Sequence, residues 1–416
     1  MYLTISKRFE ISSSARPWRP DWDDQRNFDA YGPASRAVHG SGYNYGICFH
    51  FNGPVDRRTG MVVNVATIKE RLKPLLESRY DHKFLNLDCP AFREMAPTAE
   101  NLARELLGQA GPLFSDLPAK PVVCHIRDTL TSEATAYADG RVERHLWLDF
   151  SAARRTYSPR LTDEENARLF GAAASKMGHG HNYRLRVSLT GMCDPWTGLI
   201  VEYQTWHRVL SALRAELDHK NLNEEVAELQ GIPITTESLA RFALQRLAKD
   251  IPVNRVRLYE LPDFFAEYHS AGRFALGAVR SFQAAHRLHS AALSDPENLA
   301  IYGKCDNRAG HGHEYIVEAT IGGHYDETSG TLYEFAKLTG GIEEALKPWS
   351  FKHLDAETGD FADSPSTGEN IVARLWPRLE WQLDGRLDRL RLWETPNNRF
   401  TLRKQVEKLP TPAEVI

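Results

Sequence analysis

The sequence is poor in cysteine: Cys48, Cys89, Cys124, Cys193 and Cys305 are the only five in 416 residues, an odd and irregularly spaced set. This argues against a disulfide scaffold, and the lack of any Cys-x-x-Cys pair argues against a thiolate metal site. A reducing cytoplasm is therefore the expected compartment. No apolar run approaches the roughly 20 residues of a membrane span. The opening residues, Met1 to Ser6, lack a basic segment followed by an apolar stretch, so they do not read as a secretory signal. They read as an edge strand. There is no excess of basic residues either. The 51 lysines and arginines are outnumbered by 55 aspartates and glutamates, and the net charge of −4 offers no general attraction to nucleic acid or anionic membrane.

What is present points to a soluble globular protein, with 42% apolar and 25% charged residues. The length exceeds one ordinary core and implies two or three domains. An internal repeat settles the number at three. Tyr80-Asp81-His82-Lys83-Phe84-Leu85-Asn86 returns as Leu217-Asp218-His219-Lys220-Asn221-Leu222-Asn223, and more weakly as Trp349-Ser350-Phe351-Lys352-His353-Leu354-Asp355. Gly42-Tyr43-Asn44-Tyr45, Gly180-His181-Asn182-Tyr183 and Gly312-His313-Glu314-Tyr315 keep the same period of roughly 135 residues. So do the segments beginning at Thr98, Thr235 and Thr367, and the turns holding Gly60, Gly198 and Gly330. Three domains are expected over 1–139, 140–272 and 273–404, followed by a solvated tail over 405–416.

The second copy shows the elements most clearly. Tyr183, Leu185, Val187 and Leu189 alternate with polar residues, a half-buried strand. Asp194 to Gly198 reads as a turn, and Leu199 to Val201 as a returning strand. Trp206 to Leu217 has helical spacing, Thr235 is an N-cap candidate for a second helix, and Arg255 to Leu261 reads as a closing strand. Each unit is thus α+β, with two helices on one face of an antiparallel sheet.

Phe282-Gln283-Ala284-Ala285-His286, Tyr302-Gly303-Lys304-Cys305, Gly310-His311-Gly312-His313 and Trp393-Glu394-Thr395, in this order, resemble the 6-pyruvoyl- and 6-carboxytetrahydropterin synthase family. The resemblance implies the T-fold: four antiparallel strands and two helices per domain, three domains closing a pseudo-trimeric barrel. Two chains stacked as a homodimer of pseudo-trimers would reproduce the family's double ring. It also implies a zinc ion (Zn2+) held by three histidines. These are His286, His311 and His313 in the third copy, Arg154, His179 and His181 in the second, and Ser13, Ser41 and Tyr43 in the first. One complete zinc site per chain is expected, because a guanidinium repels a cation and the first copy has no imidazole at these places.

Further site residues follow from the same resemblance. The catalytic cysteine falls on Cys305, with Ala173 and about Ala34 in the other copies. The catalytic Asp-His pair falls on Asp81-His82 and Asp218-His219, with Ser350-Phe351 in the third copy. The third domain would then supply metal and thiol, and an adjoining domain the dyad. The pterin anchor falls on Glu394, Glu260 and Asp128, since a carboxylate accepts two parallel hydrogen bonds from a ring N–H and an exocyclic amine. Thr367 is a second substrate-binding candidate, although it and Glu369 read first as helix-capping. Lys304, Arg308 and Arg287 are candidates to meet phosphates. The implied activity is a lyase acting on 7,8-dihydroneopterin triphosphate, with Cys305 as base and Glu394 as anchor. The five residues between Cys305 and His311 resemble the 6-pyruvoyl-forming branch, whereas Glu314 departs from the family's asparagine. A non-catalytic pterin- or purine-binding protein is the alternative.

Overall fold

A computed structural model describes residues 2–404; the expected tail over 405–416 lies outside the described residues. Each repeat contributes four strands to one continuous sheet. They are β1 (Tyr2–Ala15), β2 (Ser41–Pro54), β3 (Lys120–Thr129) and β4 (Ser132–Tyr137), then β5 (Val142–Arg154), β6 (His179–Thr190), β7 (Val253–Leu261) and β8 (Phe264–His269), then β9 (Phe274–His286), β10 (His311–Gly323), β11 (Leu387–Thr395) and β12 (Asn398–Arg403). Consecutive strands pair antiparallel, and β12 returns to β1 with Thr4 opposite Thr401 and Ser6 opposite Arg399. The sheet is therefore a closed barrel with no free edge. This corrects the expectation of an N-terminal edge strand: β1 is paired on both sides, by β2 and β12.

The strand alternation separates two compartments. Leu3, Ile5, Ile47, Phe49 and Phe51 face a core under the helices, while Thr4, Ser6 and His50 face the other way, into the barrel. Two long helices per repeat cover the outer face: Val65–Arg79 and Ala99–Leu113, Tyr203–Leu217 and Thr236–Leu247, Phe335–Leu346 and Gly368–Gln382. The second of each pair starts from a threonine N-cap. Thr98, Thr235 and Thr367 accept from the backbone N–H of Asn101, Ser238 and Asn370. The segment Leu199 to Val201 forms no strand, contrary to expectation. Its neighbour Gly198 is instead drawn to the adjoining repeat.

Those threonines also join the repeats. Thr98 donates to the Gly198 carbonyl at 3.1 Å, Thr235 to Gly330 at 2.5 Å, and Thr367 to Gly60 at 2.7 Å. The turn of the second repeat thus docks on the first, the third on the second, and the first on the third. The three glycines sit at φ of +69°, +67° and +75°, and a Cβ at Gly60 would lie 2.6 Å from the Asn370 amide. Glycine meets both the backbone and the space requirement.

Inside the barrel, Glu318 meets Arg391 at 3.0 Å, Arg257 at 3.2 Å and Arg389 at 3.3 Å. Burial would raise its carboxyl, but Arg257, Arg391 and Arg389 outweigh burial and hold it at about 2, below its ordinary 4.5. A depressed carboxyl stabilises the fold fully above the unfolded pKa, and the effect is lost as pH falls through the folded one. Between pH 5 and 2 the melting temperature should therefore fall, and Glu318→Gln should lower it at pH 7 while flattening that acid dependence. Gly368→Ala should cost about 1–3 kcal/mol in urea unfolding, because its Cβ would meet the Phe400 ring at 2.1 Å.

Candidate active site

β9 ends at His286 and β10 begins at His311, and the two residues face each other across the ladder; Ala284 faces His313. His311 and His313 are two residues apart on one strand and share a face. All three imidazoles consequently point to one spot on the helix side of the sheet. The Nε2 atoms of His286 and His311 are 3.2 Å apart, and one donor atom from each of the three lies within 4.8 Å of the others. His286 is fully buried, and its Nδ1–H donates to the Ser366 carbonyl at 3.0 Å, which leaves the Nε2 lone pair turned toward His311. Burial lowers the pKa of His286 to about 3 and of His313 to about 4, and also depresses His311. The neutral, metal-ligating form prevails at pH 7. A triad of neutral imidazoles with free lone pairs fits a divalent metal with an open coordination position.

Two buried acids lie beside the triad. A β-bulge between Trp393 and Thr395 turns Glu394 toward it, and the carboxylate stands 3.8 Å from His286 Nε2 and 4.0 Å from His313 Nε2. Burial raises Glu394 to about 7, against a hydrogen bond from Asn398 and the charge of Lys7. Glu369, at the start of its helix, is pushed by burial to about 8, with Glu394 adding to the rise, and accepts the Val62 N–H at 2.9 Å. Lys7 and Val62 belong to the first repeat, so this pocket straddles the junction between the third and first.

Comparison with known proteins matches this architecture three times over. The family model for 6-pyruvoyl tetrahydropterin synthase aligns with residues 4–139, 146–271 and 276–405. The chain belongs to the 6-pyruvoyl tetrahydropterin synthase family. The 6-pyruvoyl tetrahydrobiopterin synthase of Pongo abelii is 44% identical over 120 residues, 28% of this chain and 83% of that protein. The human protein of the same name is 43% identical over the same shares. The solved structure of the Caenorhabditis elegans 6-pyruvoyl tetrahydropterin synthase has 37% identity over 32% of this chain and 95% of its own, with a TM-score of 0.31.

In the other two repeats an arginine pairs with the acid at the equivalent β-bulge. In the second repeat Arg154 stands opposite His179, where His286 stands opposite His311. Its guanidinium binds Glu260 at 2.5 Å, and that carboxylate also accepts from Thr236 and lies 3.0 Å from His181 Nε2. Burial would raise Glu260, but Arg154 and these neighbours hold it at about 2. In the first repeat Arg144 bridges Glu100 at 3.0 Å and Asp128 at 3.3 Å. Among the described residues no guanidinium pairs with Glu369 or Glu394. Strand register also revises one alignment. Ala15, not Ser13, is the first-repeat counterpart of His286, because Ala15 faces Ser41 while Ser13 faces Tyr43. Neither residue has an imidazole.

Cys305 sits half-buried in the short turn Gly303–Asp306; burial raises its thiol, Glu394 adds to the rise, and Lys304 opposes it. The Asp-His dyads lie elsewhere. Asp81 accepts the Ser12 N–H at 2.8 Å and holds His82 Nδ1 at 2.9 Å, while the His82 N–H donates to the Ser12 carbonyl. Asp218 does the same with Ser151 and His219, at 2.9 and 3.1 Å. Both histidines have a positive φ and side chains 82% and 83% exposed. Each dyad is bonded to the strand of its own repeat, and among the described residues no hydrogen bond or ion pair joins either to Cys305. Phe351 holds the same backbone position in the third repeat, donating to Gln283.

The helix-capping reading of Thr367 is borne out: it is the N-cap and also bonds Gly60, while the Glu369 carboxylate accepts from Val62 across the junction. Arg287 is tied to Asp306 at 2.7 Å. Lys7 was not legible in the sequence as a pocket residue, and Glu369 reads there first as helix-capping. The recurrence of glutamate two residues after each threonine N-cap, at Glu100, Glu237 and Glu369, was the available signal. Purified protein should contain one equivalent of divalent metal per chain by elemental analysis. That metal should be lost in His286→Ala and His313→Ala and kept in His179→Ala.

Proposed function

We propose that the chain is a zinc-dependent tetrahydropterin synthase, a lyase acting on 7,8-dihydroneopterin triphosphate, with one working site in its third repeat. One observation carries this reading: a three-imidazole set next to two buried carboxyls that no guanidinium among the described residues pairs with occurs there, while the bulge acids of the other repeats, Asp128 and Glu260, are paired with arginine. When bound by His286, His311 and His313, zinc would supply Lewis acidity toward the oxygens of the substrate side chain. Glu394 accepts the ring N–H and the exocyclic amine in parallel, and Glu369 adds a second carboxyl at the same edge. Their pKa values of about 7 and 8 let them meet a donor-rich heterocycle without stranding two bare charges in the core.

Cys305 takes the side-chain proton at Sγ. A cation held by the three imidazoles would offset the burial that raises its thiol and favour the thiolate. Triphosphate then leaves. The spacing from Cys305 to His311 and the names of the relatives both favour the 6-pyruvoyl product over the 6-carboxy one. The dyads are supported as proton relays by their geometry: each histidine is oriented by its aspartate and open to solvent, available to a Cys305 in a second stacked ring.

Incubating the zinc-loaded protein with 7,8-dihydroneopterin triphosphate, with product mass analysis, tests the reading. Turnover should fall about 10²–10⁴-fold in Cys305→Ala, the range for losing a general base. One of His82→Ala and His219→Ala should lose activity comparably, and mixing that variant with Cys305→Ala should restore part of it. Pterin-induced stabilisation with no turnover would favour a binding protein instead. Full turnover in both histidine variants would remove the dyads from the mechanism.

A further inference from the structure

The barrel lumen is a polar compartment separate from the triad. The triad shares its sheet face with Phe282, Tyr315 and Val317, whereas Glu318 and Thr320 alternate onto the inner face. Ion pairs between strands that are not neighbours, such as Arg257 of β7 with Glu318 of β10, span this interior. On the side of the second repeat the charges are matched: Glu133 holds Arg186 at 2.8 Å and Glu143 faces Arg255 at 3.6 Å.

The side of the third repeat is not balanced. Glu267 and Glu318 serve three guanidiniums there, those of Arg257, Arg389 and Arg391. Next along the wall, Arg399 has no carboxylate within ion-pair reach among the described residues. Its polar neighbour is His50, 3.2 Å away at Nδ1, which burial and Arg399 itself hold far below its ordinary pKa and therefore neutral. Thr401 lies between Arg391 on β11 and Thr4 on β1. Arg391 Nε, Arg399 Nε and Thr401 Oγ1 are all buried without a hydrogen-bond partner, and Arg391 and Thr401 are only 6% and 2% exposed. Unpaired donors of this kind are costly unless a ligand meets them. Burial and neighbouring arginines lower the pKa of both Arg391 and Arg399, the strain expected of crowded cations short of an anion. A cavity of about 250 Å³ reaches Arg399 on this wall; Arg8, His125 and Arg127 also line it, as does one carboxylate, Glu133, which Arg186 pairs.

We propose that the lumen, where the third repeat meets the first, binds a tetrahedral oxyanion of the phosphate class, held by Arg391, Arg399 and the Thr401 hydroxyl. Two planar guanidinium forks and a hydroxyl supply directed donors to several oxygens at once, which suits an oxyanion better than a halide. The site is independent of the proposed catalysis, since it uses the opposite face of the sheet.

Isothermal titration of the metal-loaded chain with inorganic phosphate, at constant ionic strength in chloride, tests this. One saturable site per chain is expected. Its affinity should fall about tenfold or more in Arg399→Gln, the loss of one charge-assisted hydrogen bond. The isosteric Thr401→Val should weaken it several-fold, and Lys304→Gln, beside the triad, should leave it unchanged. Melting curves establish that each variant is folded, and Thr401→Val decides the matter if Arg399→Gln does not fold. Absence of saturable binding to the unaltered chain would overturn the proposal. So would a loss in Lys304→Gln with Arg399→Gln and Thr401→Val unaffected, which would place the anion at the triad.

Discussion

Everything in this molecule depends on the pairing of its last strand with its first. A four-stranded antiparallel sheet leaves two rows of unpaired N–H and C=O groups, and each repeat taken singly would carry that liability. The β12–β1 ladder removes the final pair of edges. Head-to-tail docking of each repeat's glycine turn on another repeat's capping threonine then repeats round the ring and closes. In a ring made by one chain, the three junctions are encoded separately and can diverge, which identical subunits cannot do.

The three pockets show that divergence as electrostatics. Each has an acid turned inward at a β-bulge, Asp128, Glu260 or Glu394, and another acid two residues beyond a helix cap. Buried carboxylates without a partner are unfavourable, and two solutions appear. Arg144 pairs with both acids of the first pocket and Arg154 with Glu260 of the second, where Glu237 instead accepts from Thr331 and Leu332. The third pocket keeps its acids near neutrality by raising their pKa, and so keeps them available. An acid can thus be retained without a full imidazole triad beside it, because the arginine takes over the stabilising role.

The two faces of the barrel wall are used for different purposes. The outer face packs apolar side chains under the helices and, at its rim, carries the imidazole triad. The inner face holds a network of arginine and glutamate across strands that are distant in sequence. That network is unevenly charged only because the three repeats differ; a perfect threefold would distribute the arginines equally.

Much of this was legible in the chain. The repeated Asp-His, Gly-x-x-Tyr and Thr-x-Glu landmarks fixed three α+β units, and the i, i+2 spacing of His311 and His313 with His286 marked the one complete imidazole set, because strand geometry maps such spacing directly onto one face. Other features required the fold. Register placed Ala15 rather than Ser13 opposite Ser41, since a count along the sequence does not see how a neighbouring strand is aligned. Closure turned the N-terminal segment from an edge into an interior strand. The partners of Glu100, Glu260 and Glu369, and the attachment of each dyad to its own repeat, are contacts between residues far apart in the chain, and no local pattern encodes them. Sequence determined which chemical groups each repeat owns; tertiary structure decided which of them meet, because burial and distance are properties of the closed ring.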